Sequence, residues 1–254
     1  MTIVKYDQHF MTDKEIIKKV VKSADLSKED VVLEIGPGKG ALTKHIAKKA
    51  KQAICIEIDS ENEKELRKSI GKCENCQIII GNALNYIETL SFNKIVSNLP
   101  YCLSEPLFRK MTKINLDLAV FTIGKHFYDI ICDDTKKLHY LVNSFFDVKF
   151  VCDVSKSAFE PEPDVDSCVI LLKIKKEKTL FDEIMCGFFL QNDKLLKNAL
   201  MNVFWNKLSM TKQESKNSVS QIGLNEKDLN MNMDLVSNEE FLKVVKKVRE
   251  IIKK

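Results

Sequence analysis

An α/β fold, in which a parallel sheet interleaves with helices and is followed by a small all-helical domain, is predicted from three observations. Short apolar runs at 31–35, 52–58, 77–80, 93–97 and 116–123 alternate with helical stretches through the first two-thirds of the chain, as in a sheet buried on both faces. The first run passes directly into a glycine-rich turn and a helix, D-V-V-L-E-I-G-P-G-K-G-A-L-T at 30–43. Beyond Lys176 glycine and proline become rare, and helical periodicity takes over.

Strand, glycine turn and helix bring bare backbone close to a nucleotide-like ligand at the carboxyl edge of a sheet. The dinucleotide fingerprint G-x-G-x-x-G needs its third glycine at 41, where this chain has Ala41. The pattern present is Gly36, Gly38 and Gly40 with Pro37 inside it, and proline offers no N–H to a pyrophosphate. A nucleoside with an amino-acid tail would not need that donor, and a dehydrogenase is disfavoured. Such a turn can also serve only close strand-to-helix packing. Glu57 weighs against the packing reading: it lies 21 residues past Gly36 at the tip of the second strand, placed to accept both ribose hydroxyls.

In chain order, residues 5–13 (K-Y-D-Q-H-F-M-T-D) precede an amphipathic helix that starts near Asp13, capped by Thr12 or Asp13. Gln8, His9 and Phe10 stand where side chains can fold over a neighbouring pocket, although His9 read alone is an ordinary surface histidine. The helix of the glycine unit is expected over 41–51, and a charged helix over 60–70 with Ser60 as its cap. After the third strand comes Gly81-Asn82-Ala83-Leu84. Asn82 could bond the exocyclic amine or a ring nitrogen of adenine, or simply shape a turn.

The fourth strand runs into Asn98-Leu99-Pro100-Tyr101. A nucleobase amine is a poor nucleophile because its lone pair is delocalised into the ring. Two acceptors on that NH2, the Asn98 side-chain oxygen and a main-chain carbonyl at Leu99 or Pro100, would localise it. Pro100 stiffens the loop, and Tyr101 offers a face for the base to stack on. A plain turn would need neither the Asn before nor the aromatic after.

Further on, the pattern predicts helices over 104–111 and 125–132, a helix passing into a sixth strand over 138–150, then strands over 150–154 and 166–175, the last alternating like an antiparallel edge hairpin. Two prolines make F-E-P-E-P-D-V-D-S (159–167) an extended loop. Phe159 at its start could sandwich a flipped base against Tyr101 or pack beneath the loop. Helical patterns follow at 180–190, 193–205, around 219–229 and at 238–253. The expected domains are 1–177 and 178–254.

Composition sets bounds. With 44% hydrophobic and 30% charged residues the chain can bury a real core. No run approaches 18 apolar residues and the start lacks an apolar signal segment, so a cytoplasmic protein is expected. Residues 175–254 hold 15 Lys+Arg against 11 Asp+Glu, so the whole +4 excess sits there. Lys194, Lys197 and Lys207 are candidates for phosphate contacts. Of eight cysteines only Cys73 and Cys76 form a C-x-x-C pair. A structural zinc needs a second pair, so no metal is assigned.

The ordered set Q-H-F-M-T-D (8–13), E-I-G-P-G-K-G-A-L-T (34–43), I-E-I-D (56–59), G-N-A-L (81–84), N-L-P-Y (98–101) and F-E-P-E-P-D-V-D-S resembles the ribosomal RNA adenine dimethyltransferases. These are Rossmann-like, seven-stranded, S-adenosylmethionine-dependent enzymes with a helical second domain. The resemblance implies that His9, Met11, Gly36, Glu57, Asn82 and Asn98 contact S-adenosylmethionine. It also implies dimethylation at N6 of two adjacent adenosines in a hairpin loop near the 3′ end of small-subunit rRNA, by a monomer acting within a pre-30S-type particle. Departures are Asn82 where the family usually has Asp, Met11 for Leu, Cys102 for Asn, and Ile123 and Lys125 near positions where Gln and Glu are common. A related class methylates large-subunit rRNA at one adenine. A ribosome-assembly or transcription factor that keeps the fold with little catalysis is the alternative from another class.

Overall fold

The computed structural model describes residues 8–191 and 193–253; Lys5 to Asp7 of the segment singled out above lie outside them. In chain order the elements are β1 (Phe10–Met11), α1 (Lys14–Ser23), β2 (Val31–Ile35), α2 (Thr43–Lys49), β3 (Gln52–Glu57), α3 (Glu63–Ile70), β4 (Cys76–Ile80), β5 (Lys94–Asn98), α4 (Ser104–Met111), β6 (Leu118–Gly124), α5 (Lys125–Cys132), α6 (Lys137–Phe145), β7 (Phe146–Val154), β8 (Phe159–Glu160) and β9 (Ser167–Ile174). Helices α7 (Leu180–Phe189), α8 (Leu196–Leu208), α9 (Lys212–Ser220), α10 (Glu226–Leu229) and α11 (Asn238–Ile252) complete the chain. Short 3-10 turns lie at Ser60–Asn62, Ala83–Asn85 and Tyr101–Leu103, among others.

Seven strands form one sheet in the order β4-β3-β2-β5-β6-β9-β7. Pairings among β4, β3, β2, β5 and β6 are parallel, and β9 runs antiparallel to β6. The chain fills the sheet outward from β2 through β3 to β4, then returns to place β5 on the other side of β2. That reversal opens a crevice beyond the carboxyl ends of β2 and β5, where open α/β sheets bind ligands. Gly36 follows one of these strands and Asn98 ends the other. The core explains the continuous apolar runs: every residue of β6 is buried, as are Ile16, Ile17, Val20 and Val21 on one face of α1. At the opposite end of the sheet Asp30 pairs with Lys94 at 3.0 Å and accepts from Asn93. Burial pushes the Asp30 carboxyl up, but the hydrogen bonds from Asn93, Ser27 and Lys94 outweigh it and hold it at about 2.

Several local expectations change. Of the two candidates before α1, Asp13 is the cap, accepting from the Glu15 and Ile16 amides at 2.8 and 3.1 Å. The helix expected over 41–51 is shorter, α2, because Gly40 and the residues after it complete the turn first. Ser60 does not cap the 60–70 helix. Asp59 instead caps a 3-10 turn at Ser60–Asn62, accepting from the Glu61 amide at 3.0 Å, and α3 follows it without a side-chain cap. The two strands expected either side of Phe150 are one strand, β7. The stiff loop at 159 begins with β8, which pairs antiparallel with β1 so that Met11 faces Phe159 and Phe10 faces Glu160.

The chain divides into two compact units, 1–128 with 147–174, and 129–146 with 175–254. The second unit takes in α6, which sequence pattern alone assigned to the first domain. Its attachment is specific. Lys137 Nζ donates to the Met233, Asp234 and Val236 carbonyls at 3.3, 3.0 and 2.9 Å, and the Tyr140 ring lies 5.7 Å from Phe241 and 6.1 Å from Phe181. Among the described residues no helix is long and apolar enough to cross a membrane, and no cluster of three or more His, Cys, Asp or Glu side chains could hold a metal.

Candidate active site

The crevice beyond β2 and β5 is a cavity lined from three directions: the segment Gln8 to Thr12, the glycine turn with the tip of β3, and Asn98 to Tyr101 with Phe159. Bare backbone lets these parts meet. Gly38 has φ +52°, and a Cβ built there would stand 2.7 Å from Phe10 Cε1. A Cβ on Gly36 (φ +65°) would meet Pro100 Cγ at 3.3 Å. Both positions therefore need glycine for conformation and for space. Lys39 lies 4.7 Å over the Phe10 ring.

Glu57 is 3% exposed at the end of β3. Its Oε2 accepts from the Gly38 amide and its Oε1 from the Asp59 amide, each at 2.9 Å. These bonds fix the carboxylate at the turn and leave further lone pairs to accept ligand hydroxyls. The Gly40 amide donates to the Pro37 carbonyl at 2.9 Å. With Gly38 and Gly40 so engaged and Pro37 lacking an N–H, the turn is poorly equipped for a pyrophosphate.

Asn98 Nδ2 donates to the His9 carbonyl at 3.0 Å. A carbonyl only accepts, so this bond sets which end of the amide faces which way and leaves Oδ1 as the acceptor. The next residues extend the same platform. The Leu99 amide donates to the Thr122 carbonyl at 3.0 Å, and the Pro100 carbonyl accepts from the Leu103 amide at 2.9 Å. The Tyr101 hydroxyl bonds Ser167 Oγ at 2.7 Å. Its ring stacks with His9 at 6.1 Å and 26°, and stands 3.6 Å from the point where a Cβ on Gly124 would be. The ring is thus held at its rim and along one side.

Of the residues singled out in the sequence, His9, Met11, Gly36, Glu57, Asn98, Leu99, Pro100, Tyr101 and Phe159 all line this cavity. Phe159 does so while 3% exposed within the apolar core beside Met11, which favours packing beneath the loop over a freely presented sandwich face. Asn82 does not line the cavity. It is exposed, and its Oδ1 accepts from the Leu84 amide at 3.0 Å. The turn that contains it takes one lone pair of that oxygen and holds the side chain outside the cavity lining. His9 is held as well, its Nδ1 2.8 Å from the Pro161 carbonyl.

Gln8 stands at the cavity, as its place before α1 suggested, whereas the polar wall residues Glu34 and Asn62 went unassigned in the sequence. Gln8 Nε2 donates to Asp59 Oδ2 at 2.9 Å, tying the first segment to the end of β3. Glu34 lies on β2 at the floor, where burial pushes its carboxyl up to about 8, aided by the charge of Glu57 and opposed by the Thr43 hydroxyl and the Cys55 thiol. Its place in E-I-G-P-G could have signalled it, but an acid within an apolar strand is silent about protonation. Asn62 completes the wall, its buried Nδ2 without a partner among the described residues. No sequence signal marked it.

Comparison with known proteins gives the family and the fold of the chain. The family model "Ribosomal RNA adenine dimethylase" matches residues 3–250. A probable ribosomal RNA small subunit methyltransferase A of Methanococcus vannielii is 32% identical over 251 residues, covering 94% of this chain and 91% of the relative. That of Methanosarcina barkeri is 36% identical over 208 residues, covering 78% and 72%. Among solved structures, a dimethyladenosine transferase from Plasmodium falciparum superposes with a TM-score of 0.66 at 25% identity, covering 96% of this chain and 98% of that one. The 23S rRNA methyltransferase ErmE gives 0.61 at 20% identity, covering 94% and 99%, a likeness of fold.

Proposed function

Since the chain belongs to the ribosomal RNA adenine dimethylase family, we propose that it dimethylates N6 of two adjacent adenosines in a hairpin loop near the 3′ end of small-subunit rRNA, using S-adenosylmethionine. The observation that carries this reading is the orientation of Asn98. Its Oδ1 is left as an acceptor in the same cavity as a glycine turn and a ribose-ready carboxylate.

The residues present fit the methyl donor. Gly36 and Gly38 line the cavity as bare backbone, packed so closely on Pro100 and Phe10 that a Cβ would displace them, and Glu57 keeps lone pairs for the ribose hydroxyls. His9 and Met11 would close over it, and Asn98 would border it. Asn82, with one lone pair of its oxygen engaged by Leu84, would meet a ring nitrogen through its amide hydrogens. When bound, S-adenosylmethionine supplies a methyl group on a sulfonium, whose sulfur leaves with the bonding electron pair.

The protein's part is to present the amine. Asn98 Oδ1 accepts one N6 hydrogen of an extruded adenine. The Leu99 carbonyl is the better candidate for the other, since the Pro100 carbonyl already accepts from Leu103. Holding both hydrogens draws the nitrogen lone pair out of the ring, and the Tyr101 face steadies the base. No side chain need remove a proton beforehand, because the methylated amine is acidic enough to lose one afterwards. The helical unit with Lys194, Lys197 and Lys207 would contact rRNA within a pre-30S-type particle, the protein acting as a cytoplasmic monomer.

The test is incubation with methyl-labelled S-adenosylmethionine and small subunits lacking the modification, followed by mapping of the labelled base. Label at N6 of two neighbouring adenosines is expected. Label confined to a single adenine of large-subunit rRNA would replace this reading by the large-subunit one, and no transfer to any rRNA would replace it by a non-catalytic assembly role.

A further inference from the structure

Asn62 has no part in the chemistry above, yet it stands in the wall of the same cavity, five residues past Glu57. The residue is 9% exposed, and its Nδ2 is buried with no hydrogen-bond partner among the described residues. Buried amide donors without an acceptor are rare in native proteins, because they forfeit their hydration and gain nothing.

Helix capping does not account for it. Asn62 sits immediately before α3, a position at which Asn commonly accepts from the amides of the first turn. Here its backbone is already helical (φ −74°, ψ −20°) and its side chain makes no capping bond. Asp59 performs that task for the preceding turn. An apolar residue of similar volume would fill the place beside the buried Leu66 helix face without an orphaned donor. The amide is therefore an intramolecular liability located where a ligand would lie.

We infer that Asn62 donates a hydrogen bond to an acceptor on the nucleoside half of the bound methyl donor, a ribose oxygen or a purine ring nitrogen near the ribose. The inference rests on the cofactor reading above. The two side chains are complementary: an ionised Glu57 only accepts and suits hydroxyl hydrogens, whereas Asn62 Nδ2 only donates and suits oxygens and ring nitrogens that hydroxyl-seeking groups cannot hold. Together they would recognise a nucleoside more tightly than either sign of polarity alone.

The test uses S-adenosylhomocysteine and adenosine as calorimetric probes, with the ligand-free melting temperature as a second readout. For Asn62→Leu, affinity for both probes is expected to fall about tenfold, the loss of one hydrogen bond from a buried site. The melting temperature of the ligand-free protein should hold or rise, since an orphaned polar group is removed. Asn62→Ala should show the same loss of affinity should the leucine not be accommodated. Unchanged affinity would overturn the inference and mean that a trapped water satisfies the amide. A fall in ligand-free melting temperature together with affinity in both variants would overturn it in favour of a structural role. If the wild-type protein bound neither probe, the cofactor reading itself would fall, and this assignment with it.

Discussion

A primary amide donates at one end and accepts at the other, and at Asn98 the His9 carbonyl takes the donor. Asn98→Ala removes the acceptor without touching the glycine turn. Turnover is expected to fall at least about 100-fold, the usual cost of deleting one preorganised polar contact to a reacting group, while S-adenosylhomocysteine still binds by calorimetry. Glu34 supplies a pH dependence. Its carboxyl is raised from 4.5 to about 8 in the fold, so between those values the folded chain holds a proton that the unfolded chain has released. Its stabilising contribution is complete below the lower value and is lost as pH rises through the upper one, at up to about 1.4 kcal/mol per pH unit. Urea unfolding from pH 5 to 8.5 should show this decline, and Glu34→Gln should flatten it. At this scale Glu57 and Asn98 were legible, because their distance from a strand end is written in the spacing. The outward turn of Asn82 and the orphaned amide of Asn62 were not, since each depends on which neighbour reaches a single atom.

Among the elements, the turn between β2 and α2 is the one whose geometry leaves least latitude. At Gly38, φ is +52° and a Cβ would stand 2.7 Å from Phe10. Gly38→Ala should therefore cost about 1–3 kcal/mol through backbone strain and the displaced ring, lowering the melting temperature by several degrees and weakening S-adenosylhomocysteine binding at the same time. A variant that melted like wild type would show that the first segment does not pack on the turn. The glycine spacing announced this turn, and the apolar runs announced five parallel strands. β7 was misdivided because its residues alternate irregularly about Phe150. β8 was invisible because its two residues owe their strand character to β1, about 150 positions away in the sequence.

For the molecule as a whole, long-range attachments decide which residues share a core. Helicity over 137–145 was readable from periodicity, but its membership of the second unit rests on Lys137 reaching three carbonyls at Met233, Asp234 and Val236. A buried ammonium so held is legible only in three dimensions. Lys137→Met keeps much of the volume and leaves those carbonyls without their donor, so a loss of about 2–5 kcal/mol is expected, seen as earlier unfolding of the helical unit by hydrogen exchange. The central claim is that the cavity beyond β2 and β5 brings a methyl donor to an adenine amine held by Asn98. Its most direct measurement is transfer of labelled methyl to unmodified small subunits by the wild-type chain and by Asn98→Ala, with S-adenosylhomocysteine affinity determined for both. The account predicts label at N6 of two adjacent adenosines with the wild type, and binding without transfer with the variant. Near wild-type transfer by Asn98→Ala would contradict it.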